Sequence, residues 1–105
     1  MTNDVSYPDD LLEFIAKRIP EEMAAVFAEV WNHKNDGGVT WTNLVSTIGD
    51  RYLVEKALLL LETNGFVNVE TSPLDRRQKK YLPDDVRGRQ LARTLRNLKE
   101  QQNKT

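Results

Sequence analysis

Cysteine is absent from the 105 residues, which removes disulfides, thiolate nucleophiles and Cys-type metal sites together. Histidine occurs once, as His33, and one imidazole without a partner cluster makes no metal site. Beside Lys34, near an expected helix end, it suits a C-terminal capping role. No apolar run, residues 57–61 included, approaches the roughly 20 residues that a membrane-spanning helix needs. The opening MTNDVSYPDD has neither a basic n-region nor an apolar h-region, so a cytoplasmic protein without a signal peptide is expected. Repeats and low-complexity segments are also missing. Carboxylates are plentiful but fall on faces expected to be exposed, so no acid/base pair stands out. No enzyme, metal site, cofactor or membrane partner is expected.

What is present is a segregated charge. Residues 1–50 hold three Lys/Arg against nine Asp/Glu, and residues 51–105 hold twelve against seven. The halves therefore carry −6 and +5, which the overall −1 conceals. Such a split suits a surface that meets a polyanion, or an acidic segment packed on a basic one within the same fold. A chain of this length forms one domain and buries roughly 65% of its unfolded surface.

The order of elements follows from periodicity and punctuation. Tyr7-Pro8-Asp9-Asp10 opens a first helix with the stripe Leu11, Leu12, Ile15, Ile19. Pro20 breaks it and opens a second, in which Met23, Val26, Phe27, Val30 and Trp31 follow the helical period. A turn at residues 35–38 leads to Val39, expected as a single β residue. Thr40 is expected to cap a short helix carrying Leu44, Val45 and Ile48. Gly49 ends that helix, and Asp50 caps a longer one whose buried face is Val54, Ala57, Leu58 and Leu61. Asn64-Gly65 stops it. A hairpin follows, with Phe66–Val69 outgoing, a turn at Ser72-Pro73, and Tyr81-Leu82 returning. Four cations, Arg76, Arg77, Lys79 and Lys80, crowd its tip. Asp84-Asp85 mark the start of a last helix with the seam Leu91, Leu95, Leu98 and a flanking row Arg89, Arg93, Arg96. The fold class is mainly α with a small β-hairpin, in the order α-α-(β)-α-α-β-β-α. The short helix, a turn of about three residues and the long helix form a helix-turn-helix, and the basic hairpin adds a wing.

From about Val39 to Leu95 the chain resembles the MarR-type winged-helix regulators. The resemblance rests on NLVSTIG, LETNGFV, the DRR of the hairpin, YL, and Gly88 followed by leucine spacing. It implies that Asp75 braces the wing and that Arg76 or Arg77 reaches a DNA minor groove. It also implies a homodimer built from the terminal helices, about 8–34 and 84–100, with Leu11, Leu12, Ile15, Leu91, Leu95 and Leu98 at the interface. Three departures are visible: a helix-helix turn one residue short, a longer PDDVRG connection, and shorter terminal helices. The thiol redox sensing known in that family is excluded by the missing cysteine. No position matches a small-molecule effector site, and whether an effector exists is unknown.

The candidate DNA-contacting residues are Thr42, Asn43, Arg51, Tyr52, Glu55, Lys56, Arg76, Arg77, Lys79 and Lys80. Helix 50–64 would enter the major groove, and the wing, residues 72–80, the minor groove. Four like charges at a hairpin tip repel one another, and a phosphate backbone relieves that repulsion. Thr42 and Asn43 can anchor a phosphate at a helix N-terminus, or merely belong to a cap beside a core Trp41. Tyr52 and Lys56 can bond phosphate, and Lys56 also guanine; Glu55 either accepts from cytosine N4 or repels the backbone. Leu59 touches a thymine methyl or a protein. The arginine row binds phosphate or, as preferred here, pairs with Asp9, Asp10 and Glu13 of a second subunit. The expected function is a sequence-specific, double-stranded-DNA-binding homodimer acting as a nucleoid-associated transcriptional repressor. The alternatives are a DNA-coating partition protein of the same fold and a winged-helix protein-interaction module.

Overall fold

The computed structural model describes residues 6–71 and 78–102. Two helices begin in the same way: α1 (Asp9–Lys17) follows Pro8, and α2 (Glu21–Asn32) follows Pro20. Each proline holds an extended φ/ψ near −58°/145° and lends its carbonyl to the first turn, where two acids face the positive helix end. His33 ends α2, its ring lying 3.5 Å from Glu29 and 3.2 Å from Asp36. A 3-10 turn over Lys34–Asp36 and two positive-φ glycines then deliver the chain to β1 (Val39–Thr40).

The helix-turn-helix is built from local caps. Thr40 Oγ1 accepts from the Asn43 amide at 3.2 Å and starts α3 (Trp41–Ile48). Asp50 Oδ1 accepts from the Leu53 amide at 3.1 Å and starts α4 (Arg51–Thr63). Only Gly49 and Asp50 separate the two helices, one fewer than the expected three-residue turn. At its far end α4 closes through Gly65, whose φ of 76° suits only glycine comfortably. The Phe66 amide returns to the Leu61 carbonyl and the Gly65 amide to that of Glu62. This leaves Phe66 and Leu61 packed together with no exposed surface.

The expected two-stranded hairpin is one part of a three-stranded antiparallel sheet, ordered β1-β3-β2. β2 (Val67–Thr71) pairs along β3 (Lys79–Pro83), and β1 lies on the other edge of β3, with Val39 opposite Tyr81. Val39 is therefore no isolated β residue. The return strand also begins two residues earlier than Tyr81, so Lys79 and Lys80 belong to the strand and not to the tip.

The last helix, α5 (Arg87–Gln102), begins after Asp84-Asp85 rather than at them. Asp84 is buried and acts as its cap: one carboxylate oxygen accepts from the Val86 and Arg87 amides (3.1 and 2.9 Å), the other from Asn68 Nδ2 (3.0 Å). One core joins all of this, centred on Phe27, Phe66, Leu44, Leu61, Leu12 and Leu91. The inner face of α4, Val54, Ala57, Leu58 and Leu61, is at most 3% exposed, as its spacing predicts. Trp31 and Trp41 pack against the core from its edge.

Candidate nucleic-acid interface

The outer face of α4 is open along its length. Arg51, Tyr52, Glu55, Lys56, Leu59 and Thr63 are all exposed, as expected from 100° per residue. Their charges are already partly engaged. The Arg51 guanidinium lies 5.3 Å from the Trp41 ring centroid, and its Nε is 3.7 Å from Glu55. That ion pair is well exposed and adds little to stability. Lys56 Nζ sits 4.7 Å from the Tyr52 ring. Both contacts keep the basic heads close to the helix, within reach of any polyanion that approaches this face.

The α3 N-terminus and the root of the wing are neighbours. An open cleft of about 400 Å³ is lined by Thr40, Trp41, Thr42, Gln78, Lys79 and Tyr81. Thr42, a residue singled out from a helix start, thus shares a cleft with Lys79 from a strand, across 37 positions of sequence. Asn43 is exposed beside it, its amide spent on the Thr40 cap. The two lysines diverge, because successive strand side chains leave opposite faces. Lys79 lines the cleft, whereas Lys80 Nζ lies 4.0 Å from where a Cβ on Gly37 would stand. A single basic tip containing both is thus corrected to two cations on opposite faces of β3. Asp75, Arg76 and Arg77 lie outside the described residues.

The expected subunit interface divides in the same manner. Leu12 and Leu91 are 2% and 0% exposed within one chain, so their assignment to an interface is corrected: both are consumed by the core. Leu11 points outward at 43% exposure, and Phe14, not anticipated from the sequence, at 53%. Ile15, Leu95 and Leu98 are half-buried against the core. The signal for Phe14 was present: apolar residues at 11, 12, 14, 15 and 16 span too wide an arc for a helix with one buried face. The Arg18 guanidinium covers the Phe14 ring at 3.5 Å. Arg89, Arg93 and Arg96 are exposed along α5. Arg93 shares an open cleft of about 340 Å³ with Asp9 and Glu13 of its own chain.

Sequence reasoning also missed the strap formed by Tyr7. Its amide donates to Gln90 Oε1, and Gln90 Nε2 donates back to its carbonyl, both at 3.0 Å. Its hydroxyl donates to the Asn64 carbonyl at the end of α4 (2.7 Å), its ring meets Phe66 at 5.6 Å, and the Arg87 guanidinium stacks on it at 4.2 Å. The segment before α1 thereby ties the end of α4 and the Phe66 that follows it to α5. These contacts span 57 and 83 positions, beyond any local signal.

Tyr81, which also lines the cleft, has its phenol pKa raised above the ordinary 10.0, first by burial and then by the charge of Glu62. Among the described residues no group of three His, Asp or Glu could hold a metal ion, and no helix is long and apolar enough to cross a membrane.

No family model and no curated protein matches the chain. Solved structures do. A mutant of MepR from S. aureus bound to an oligodeoxyribonucleotide superposes with a TM-score of 0.72 at 16% identity, over 87% of this chain and 65% of that one. A second MepR mutant gives 0.69 at 18% identity, over 90% and 68%. The S. aureus MepR–DNA complex gives 0.65 at 14%, over 88% and 71%. The chain thus spans about two thirds of the length of the structures it matches. MepR is a MarR-family winged-helix regulator. This chain has the winged helix-turn-helix fold of those structural neighbours.

Proposed function

We propose that this protein is a homodimeric, double-stranded-DNA-binding transcriptional repressor that works without catalysis in the cytoplasm. The observation that carries the reading is an open α4 face whose Arg51 lies 5.3 Å from the ring of Trp41, a residue that also lines the cleft of Thr42 and Lys79, in a fold whose solved neighbours include MepR on DNA. In this reading α4 lies in the major groove, with Arg51, Tyr52, Glu55 and Lys56 toward the base edges and phosphates. A phosphate of the flanking backbone enters the cleft, met by the α3 N-terminus with Thr42 and Asn43 and by Lys79. The wing, residues 72–80, reaches the adjacent minor groove. Two copies join through Leu11, Phe14, Ile15, Leu95 and Leu98, and their two-fold axis sets half-sites about one helical turn apart.

The test is fluorescence anisotropy on duplex DNA across a salt series, for wild type and Lys79→Ala/Lys80→Ala. Each neutralised phosphate contributes about 0.9 to the slope of log K against log salt. The variant should lose about one such step per chain through Lys79, and up to two if Lys80 also reaches DNA. No binding at micromolar protein in low salt refutes the reading. Footprint length separates a repressor, which protects one operator-sized patch, from a partition protein, which spreads. A protein-interaction module is the second reading, supported by the exposed Leu59 and by an α4 face on which Arg51 and Lys56 are balanced by Glu55 and Glu62. It predicts a different partner protein and binding that ignores salt.

A further inference from the structure

We propose that α4 recognises thymine through its C5-methyl group, with Leu59 as the specificity-determining side chain. This rests on the DNA-binding reading above and says which chemical feature of the DNA the helix selects.

Four large hydrophobic residues are exposed among those described, and they fall into two pairs. Leu11 and Phe14 are on α1. Tyr52 and Leu59, 68% and 67% exposed, are on α4, seven residues apart on one face. Seven residues separate them by about 10.5 Å along the helix axis. Leu59 has no route into the core, because Val54, Ala57, Leu58 and Leu61 fill the inner side of the helix. It is held in solvent by the packing of its neighbours.

The cations of α4 are engaged on the N-terminal side of Leu59. Arg51 is the sole arginine of α4, and it lies over Trp41 and beside Glu55 at the first turn, two turns from Leu59. Lys56, one turn away, lies over Tyr52. The exposed charges of the helix, Arg51 and Lys56 against Glu55 and Glu62, cancel. What it presents near its middle is an aliphatic surface, and the major-groove edge of a base pair has one apolar feature, the thymine methyl. Guanine and cytosine at that place would set polar edges against Leu59 and leave them without hydrogen bonds. A protein partner is the other occupant such a leucine could meet. The two-residue helix-turn-helix favours DNA, as does Arg51 of this face lying near Trp41, which also lines the Lys79 cleft.

The experiment starts from a duplex selected by the full chain out of a random-sequence pool. Each thymine in it is then replaced singly by deoxyuridine, which keeps every charge and hydrogen-bonding group and removes only the methyl. Affinities are measured at one salt concentration for wild type and Leu59→Ala. The expected result is one or two positions per half-site at which deoxyuridine weakens wild type about fourfold, the worth of one buried methyl group. At those positions Leu59→Ala should bind thymine and deoxyuridine duplexes equally. Its melting temperature should match wild type, since the side chain is exposed. Uniform affinity across all the deoxyuridine duplexes overturns the inference and leaves the DNA-binding reading standing. A deoxyuridine effect that persists in Leu59→Ala overturns the role of Leu59. Failure to select any duplex overturns both and moves this face to a protein partner.

Discussion

Replacing Gly88 by alanine sets two opposing effects against each other. Gly88 is buried in the first turn of α5, where that helix crosses the end of the hairpin. Alanine favours a helix over glycine by about 1 kcal/mol, so propensity alone predicts a more stable protein. A Cβ at this position, however, would stand 2.9 Å from the Phe66 carbonyl oxygen, 3.0 Å from Pro83 Cβ and 3.1 Å from the Pro83 carbonyl carbon. None of these atoms can rotate away. The Phe66 oxygen is held further by the Asp84 amide at 2.8 Å, and Asp84 in turn caps α5. Relief therefore requires α5 to move off the sheet, and overpacking of this kind costs about 1–3 kcal/mol. With rigid partners the upper end applies, so Gly88→Ala should lose about 2 kcal/mol net, or about 10 °C in melting temperature. Gly49→Ala is the control, because its φ is +84° and a Cβ there meets nothing within 4 Å. It should cost about 1 kcal/mol of backbone strain alone. Urea unfolding and thermal circular dichroism measure both. A Gly88→Ala protein as stable as wild type, or more so, would refute the close approach.

Removing the buried cap by Asp84→Ala should cost about 2 kcal/mol in urea unfolding, because two amides of α5 and the Asn68 amide lose their acceptor together. Leu11→Glu/Phe14→Glu should leave the melting temperature nearly unchanged and reduce self-association in sedimentation, if these exposed side chains form the proposed dimer face. The raised pKa of Tyr81 has a sign that can be checked. Below pH 10 the phenol is protonated in both states, and above it the unfolded chain ionises first, so stability falls as pH rises from about 10. Tyr81→Phe should flatten the dependence of stability on pH above 10 in urea titrations.

The sequence by itself determined the helices, their caps and the place of the turn. Thr40, Asp50 and Asn64-Gly65 act through hydrogen bonds to residues at most five positions away, and such signals survive in any tertiary setting. The inner face of α4 was legible because one period ran uninterrupted from Val54 to Leu61. The exposed candidates Arg51, Tyr52, Glu55 and Lys56 followed as its complement.

Other features were decided by distant partners. Val39–Thr40 became a strand because β3 lay beside it, 40 positions on. Asp84 is buried and bonded to Asn68, 16 positions back, through one oxygen while the other caps α5, which begins at Arg87. On α1, periodicity could not tell Leu12 from Leu11, and the choice fell to α5, whose Leu91 occupies the same core. Lys79 and Lys80 read as one charge cluster until the pleat of β3 sent them to opposite faces, one of them into a cleft with Thr42. Local hydrogen bonds select the type of each element. Which side of an element meets the core, and which residues share a site, depends on packing between segments far apart in sequence, and only the assembled structure contains that packing.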